Sequence, residues 1–338
     1  MKNCLDLQVL ELFGIPFTPL PLGEFARTIV AELSRGRRGL VVFTPDARAL
    51  SLAILRRDIR ELYRRADFVA CDGFGGTMAA RALGKELPRV PGVDLAWELC
   101  RLGEKEALGF FFLGARPEVI AAAVRRVRES FPRLIVRGFH HGYFPGEGPV
   151  DTIRKARPDV LLVGLGFPRQ ERWILSHRDL FGVAVGVGSA FDIWSGRFPR
   201  APRWIQEAGL EWLYRALQDP RRIKRLWAVP FLLGCIGLEW LKTQALGRRG
   251  PRWRSAGPGP HPLGRPRPPI EDGVRHVDGG ISAHDHTDHH HQGESSEHRP
   301  PESQQDHHRD QGGKGGVDGP GEGLVDGTVD DVEHGLLP

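Results

Sequence analysis

Asp72 follows a short apolar run, residues 68–71, and precedes a flexible stretch with Gly73, Gly75 and Gly76. A carboxylate delivered there by a strand, partly desolvated and close to backbone amides, can take a proton as a general base. It can equally cap the helix that follows, a routine task for Asp. Thr44 and Asp46 occupy the matching turn one strand earlier, after residues 40–43. Both can hydrogen-bond a sugar hydroxyl, and Asp46 can instead cap the next helix. Arg89 lies between Pro88 and Pro91 in PRVPGVDL. A guanidinium on so stiff a turn suits a phosphate; the alternative is a solvated surface charge.

Residues 159–192, DVLLVGLGFPRQERWILSHRDLFGVAVGVGSAFD, carry two aliphatic runs, each ended by a glycine-rich turn. The first breaks at Gly164-Leu165-Gly166-Phe167-Pro168, after which Arg169, Gln170 and Glu171 open an amphipathic segment. The second ends at Gly188-Ser189-Ala190. Polar groups just past the carboxyl ends of parallel strands are where open α/β sheets bind ligands. The Gly-x-Gly lacks the third glycine of a dinucleotide fingerprint, there is no P-loop, and Ser189 lacks a hydrolase elbow. Residues 1–246 also contain no Asp-x-Asp to hold a divalent cation on a diphosphate. A diphosphate substrate would then be neutralised by arginines and helix N-termini. Arginines crowd residues 197–225, among them Arg215, Arg222 and Arg225, interleaved with Trp204, Trp212 and Tyr214. This is either a packed helical face with a solvated rim or a binding platform.

The elements that must position these residues alternate. Strand-like runs at 40–43, 68–71, 110–113, 134–139, 160–163 and 183–187 are separated by helical patterns. These run from the Thr44 turn to Arg65, and over 77–83, 94–102, 118–129 and around 204–217. Such alternation predicts an α/β fold, a Rossmann-like, mostly parallel sheet between helix layers. A basic helical C-terminal appendage and a disordered tail complete the expectation.

The chain has 338 residues and a formal net charge of +5, with a pI near 9.2. Basic residues concentrate before the tail, which suits nucleic acid, anionic lipid or phosphorylated substrates. Residues 247–338 are rich in Gly, Pro, His, Asp and Arg without aliphatic periodicity. They cannot bury enough apolar surface to offset ordering entropy. The expected division is an α/β domain over 1–225, an apolar segment over 226–246 and a disordered tail over 247–338. The four cysteines, Cys4, Cys71, Cys100 and Cys235, form no Cys-x-x-Cys pair, as in a reducing cytosol. The N-terminal residues contain Asp6 and Glu11 and lack a signal-peptide core. The segment LWAVPFLLGCIGLEWL (226–241) is shorter than the ~20 residues of a membrane span. It follows the basic DPRRIKR, a combination that suits the surface of an anionic bilayer; the alternative is a C-terminal helix completing the core.

Taken together, LFGIPF, the TPD turn at Thr44, CDG at Asp72, RVPGVDL, FFLGARPE, RPDVLLVGLGFPRQERWI, VGVGSAFDIWSG and GLEWLYRALQDPRRIKR resemble the WecG/TagA/CpsF family, glycosyltransferase family 26. The resemblance runs from about Leu12 to Trp227. It implies inverting, metal-independent transfer of a sugar from a UDP-sugar to a polyprenyl-diphosphate-linked acceptor, with no cofactor. N-acetylmannosamine or its uronic acid is the best-known donor sugar, and the products are teichoic acid linkage units or other surface polysaccharides. On the matching residues, Asp72 would be the base, with Thr44 beside it. Arg89 would meet acceptor or phosphate, and Asp46 would bind substrate. Gln170, beside Glu171, and the turn at Gly188 would face the donor. Arg215, Arg222 and Arg225 would cover the diphosphate and meet an anionic membrane. The protein would then be cytoplasmic and peripherally membrane-associated, with a homo-oligomer left open and no nucleic-acid partner. Asp46 departs from the family's usual Asn, which bears on donor identity and activity. The competing reading is a non-catalytic nucleotide- or polyanion-binding module, for which arginine density and Asp46 speak.

Overall fold

The computed structural model describes residues 8–146, 148–207, 210–218, 227–245 and 253–255, all within the unit Met1–Pro268. The chain opens with a hairpin, β1 (Gln8–Leu12) and β2 (Ile15–Phe17), turned by Phe13 and Gly14, both at positive φ. Two such residues give a two-residue turn whose twist matches an antiparallel pair. There follow α1 (Leu22–Ser34), β3 (Leu40–Phe43), α2 (Ala47–Leu55), α3 (Arg57–Arg64), β4 (Phe68–Val69), α4 (Phe74–Ala82) and α5 (Gly92–Lys105). Then come β5 (Gly109–Gly114), α6 (Pro117–Ser130), β6 (Ile135–His140), α7 (Val150–Ala156), β7 (Val160–Gly164), α8 (Arg169–Ser176), β8 (Val183–Gly186) and α9 (Ala190–Trp194). Four shorter or later elements close the described chain: α10 (Arg203–Glu207), α11 (Glu211–Gln218), α12 (Ala228–Ala245) and β9 (Trp253–Ser255).

β3 to β8 form one six-stranded sheet in the order β4-β3-β8-β7-β5-β6, and every pairing is parallel. Side chains alternate between two cores. Val41, Phe43, Phe111, Leu113, Leu161 and Val163 enter one; Leu40, Val42, Phe110, Phe112, Val160 and Leu162 enter the other. Both faces are covered, which is why the central strands read as unbroken aliphatic runs. The mostly parallel α/β expectation therefore holds.

Several expected boundaries change. The helical run from the Thr44 turn to Arg65 is two helices, broken where Arg56 is extended. The break lets α2 pack on α4 and α12 while α3 packs on β2 and α8. The helical stretch around 204–217 likewise divides into α10 and α11. The tail expected to be disordered contributes β9, which pairs antiparallel with β1 and so satisfies one edge of a small three-stranded sheet. The remainder of 256–338 lies outside the described residues.

The apolar segment 226–246 contains α12, which has two characters. Leu232 and Ile236 are buried in the core formed with α2 and α4. Gly75 permits that contact, because a Cβ there would stand 2.5 Å from Leu232 Cδ2. Ser51, fully buried on α2, donates its hydroxyl to the Ala228 carbonyl at 2.8 Å. Meanwhile Trp227, just before the helix, and Leu233, Leu238, Trp240 and Leu241 on it are exposed. The core-helix alternative thus describes one face, and the surface-binding one remains open for the other. Among the described residues no helix is long and apolar enough to cross a membrane. Truncating Leu232 to Ala should lower unfolding free energy by roughly 2–4 kcal/mol, as burial of this size loses transfer and packing energy together. Urea unfolding checks it; an unchanged midpoint would place α12 outside the cooperative core.

Candidate active site

The strand order places four sequence-distant turns side by side along the carboxyl edge. Asp72 follows β4, Thr44 and Asp46 follow β3, Gly188 follows β8, and the Gly166 turn leading to Gln170 follows β7. From β3 the chain steps outward to β4, and it returns to the other side of β3 only as β8. The carboxyl end between β3 and β8 is therefore a topological switch point, where such sheets open a crevice. Thr44 sits on it, its hydroxyl donating to the Gly186 carbonyl at 2.9 Å across the two strands.

Asp72 does not cap the helix that follows it: Gly73 is the N-cap of α4. Its Oδ1 instead accepts from the Gly92 amide at 3.1 Å, the first residue of α5. That bond fixes the carboxylate between two helices. Gly92 is required by close approach, because a Cβ there would lie 2.6 Å from Thr44 Oγ1. Gly92 was not singled out from the sequence, though its place in RVPGVDL, just after a stiff proline turn, was the available signal. Thr44, Gly92 and Asp72 thus form one contact chain at the switch point.

Arg89 is not a solvated surface charge. Nε donates to the Asp72 carbonyl at 3.1 Å, Nη1 to the Gln206 carbonyl at 3.0 Å and Nη2 to Glu211 Oε2 at 2.5 Å. Glu211, 122 residues away in sequence, had no local signal. Asp46 is the N-cap of α2, its Oδ1 accepting from the Ala49 amide at 2.8 Å. Asn performs that capping equally well, so the exchange leaves the helix start intact.

Gln170 and Glu171, expected to face the donor, are both buried. Gln170 is 4% exposed, with Nε2 donating to Glu171 Oε1 at 3.0 Å and Oε1 accepting from the Gly188 amide at 3.2 Å. Its amide is committed inside the protein, where it ties the start of α8 to the turn after β8. Glu171, 3% exposed, lies beneath it. Among the described residues Glu171 Oε2 and the buried Tyr63 hydroxyl have no hydrogen-bond partner. Burial pushes the Glu171 carboxyl up to about 7, with the Gln170 amide opposing the rise and the Asp46 charge adding to it. Burial likewise holds the Tyr63 phenol well above its ordinary value, and Glu171 adds to the shift.

Two arginines of the basic stretch are in ion pairs: Arg197 with Asp192 at 3.6 Å and Arg200 with Asp94 at 2.6 Å. Arg215 lies within α11, while Arg222 and Arg225 fall outside the described residues. Among the described residues no three His, Cys, Asp or Glu side chains cluster as a metal site would. Such an edge, with a held carboxylate, a hydroxyl and backbone amides gathered at one switch point, is equipped for proton removal beside a bound polar substrate.

Residues 10–245 match the model of the glycosyl transferase WecG/TagA/CpsF family. The chain belongs to that family. The match extends beyond Trp227, where the sequence resemblance stopped, and takes in α12 as part of the family's own region. This glycosyltransferase is 31% identical over 228 residues to an N-acetylglucosaminyldiphosphoundecaprenol N-acetyl-beta-D-mannosaminyltransferase of Bacillus subtilis (strain 168), covering 66% of this chain and 89% of that protein. It is 32% identical over 231 residues to the protein of the same name from Staphylococcus aureus (strain MW2), covering 66% and 90% respectively.

The raised Glu171 carboxyl makes stability depend on pH. Folding lifts it from an ordinary 4.5 to about 7, so the folded glycosyltransferase binds more protons between those values. Stability should therefore fall as pH rises through that window and level off above it. Glu171→Gln keeps an acceptor for Gln170 and removes the titration. Relative to wild type it should gain on the order of 1–3 kcal/mol between about pH 5 and about pH 8, read from thermal midpoints across that range. A parallel decline in both proteins would show that Glu171 does not titrate in this window.

Proposed function

We propose that this glycosyltransferase moves a sugar, N-acetylmannosamine or a related hexose, from a UDP-sugar to a hydroxyl of a polyprenyl-diphosphate-linked sugar in cell-surface polysaccharide synthesis. The observation that carries the proposal is the Asp72 carboxylate, held by the Gly92 amide at the switch point beside Thr44. The acceptor class comes from the relatives' name, which specifies an undecaprenol-diphosphate-linked N-acetylglucosamine.

In this mechanism Asp72 takes the proton of the acceptor hydroxyl, and the resulting oxygen forms a bond to the anomeric carbon of the donor. The bond from that carbon to the diphosphate oxygen breaks on the opposite face, its electron pair leaving with UDP, so configuration inverts. The β8 turn at Gly188, shaped by Gln170 over Glu171, borders the donor. Arg89 supports Asp72 from behind. Thr44, Asp46 and the arginines Arg215, Arg222 and Arg225 are assigned to substrate and diphosphate charge. No metal or cofactor is invoked: the α/β domain lacks Asp-x-Asp, and arginine can neutralise a diphosphate directly.

The working site is the inner face of the cell membrane, where a polyprenyl-linked acceptor is held. The exposed apolar face formed by Trp227, Leu233, Leu238, Trp240 and Leu241 supports contact with that surface.

Full-length protein, UDP-sugars and a polyprenyl-diphosphate N-acetylglucosamine analogue, assayed with chelator present, should release UDP. Silence with every donor, or complete dependence on added Mn²⁺, would overturn the assignment. Asp72→Asn should slow turnover by at least ~10²-fold, the usual scale for losing a general base. Wild-type rates in that variant would remove Asp72 from the role.

A further inference from the structure

Arg89 has a partner that the transfer chemistry does not use. Glu211, the first residue of α11, is 8% exposed and places Oε2 2.5 Å from Arg89 Nη2. Through its other donors the same guanidinium reaches the Asp72 carbonyl and the Gln206 carbonyl near the end of α10. One arginine side chain therefore joins the turn of the candidate base to two helices that follow the sheet in sequence.

The physical chemistry of this junction favours a specific role. A partly buried guanidinium loses hydration and needs a close anion with good geometry to recover it. Glu211 supplies that anion from the first turn of α11, where negative charge also complements the helix dipole. The Gln206 contact is a backbone carbonyl, which any residue at that position would offer. Identity at position 211 therefore matters in a way that identity at 206 does not. Arg215 stands four residues further along α11, about one helical turn. Pinning Glu211 thus sets where the arginine-bearing helix begins relative to Asp72.

We propose that Glu211 is a positioning residue for acceptor use: with Arg89 it latches α11 to the Asp72 turn, so that the base and the helix carrying Arg215 address one substrate. The inference rests on the transfer chemistry proposed for Asp72, but its structural half stands apart. Two readouts on the full-length protein separate them. In hydrogen–deuterium exchange, Glu211→Ala should speed exchange in α11 and also in the 72–92 segment, and Glu211→Asp should restore much of the protection. In the transfer assay, Glu211→Ala should raise KM for the lipid-linked acceptor by about 10-fold, the scale of a lost charged hydrogen bond, while KM for the donor stays within about 2-fold. Glu211→Asp should recover most of the loss.

Unchanged exchange in the 72–92 segment overturns the latch. Altered exchange with an unchanged acceptor KM, or with both KM values rising equally, overturns the acceptor role. If wild-type protein turns over no nucleotide sugar, the transferase assignment falls, and exchange alone still decides whether Glu211 holds α11 to the Asp72 turn.

Discussion

A parallel sheet covered on both faces leaves its strands no side on which to display polar chemistry, and the whole arrangement of this protein follows from that. The inner strands spend their backbone groups on one another and their side chains on two apolar cores. Polar side chains can emerge only where strands end, and they must be supported there by helix starts and glycine turns. Thr44 and Asp72 obey this constraint from two different strands, and the Gly188 turn ends a third. Their adjacency is a property of strand order, with β3 and β8 meeting where the chain reverses its direction of growth.

The same constraint explains what was legible in the sequence. Strands such as Leu40–Phe43 and Val160–Gly164 stood out because double-sided burial demands continuous aliphatic runs. The turns after them stood out through glycine, proline and acid. The order of the strands did not, since parallel pairing is set over long sequence separations and leaves no local mark. The hairpin of β1 and β2 carried a faint signal in Phe13-Gly14, and α1 a clear helical period in Phe25, Ala26, Ile29 and Val30. β9 had none: three residues in a polar tail become a strand only because β1 offers them an edge.

Site residues divide along the same line. Asp46 could be recognised as a cap, because its partner is three residues away. The Asp72–Gly92, Arg89–Glu211 and Gln170–Gly188 bonds span 20, 122 and 18 residues, and only folding reveals them. Gln170 is the instructive case: residues at the mouth of a crevice look like ligand contacts, yet a buried amide must satisfy both its ends. It does so on Glu171 and Gly188, and becomes part of the wall.

The antiparallel pairing of β9 with β1 has a consequence for α12. The helix is secured at its first residue by the Ser51 bond to Ala228, and the chain beyond it is secured again at Trp253–Ser255. A segment fastened at both ends behaves as a handle rather than a tether. Docking of its buried face on α2 and α4 is therefore an intramolecular event, at an effective concentration set by the loop that the β9 ladder closes. Severing the β9 ladder would change that loop into an open arm while leaving every contact of α12 with the sheet domain chemically the same.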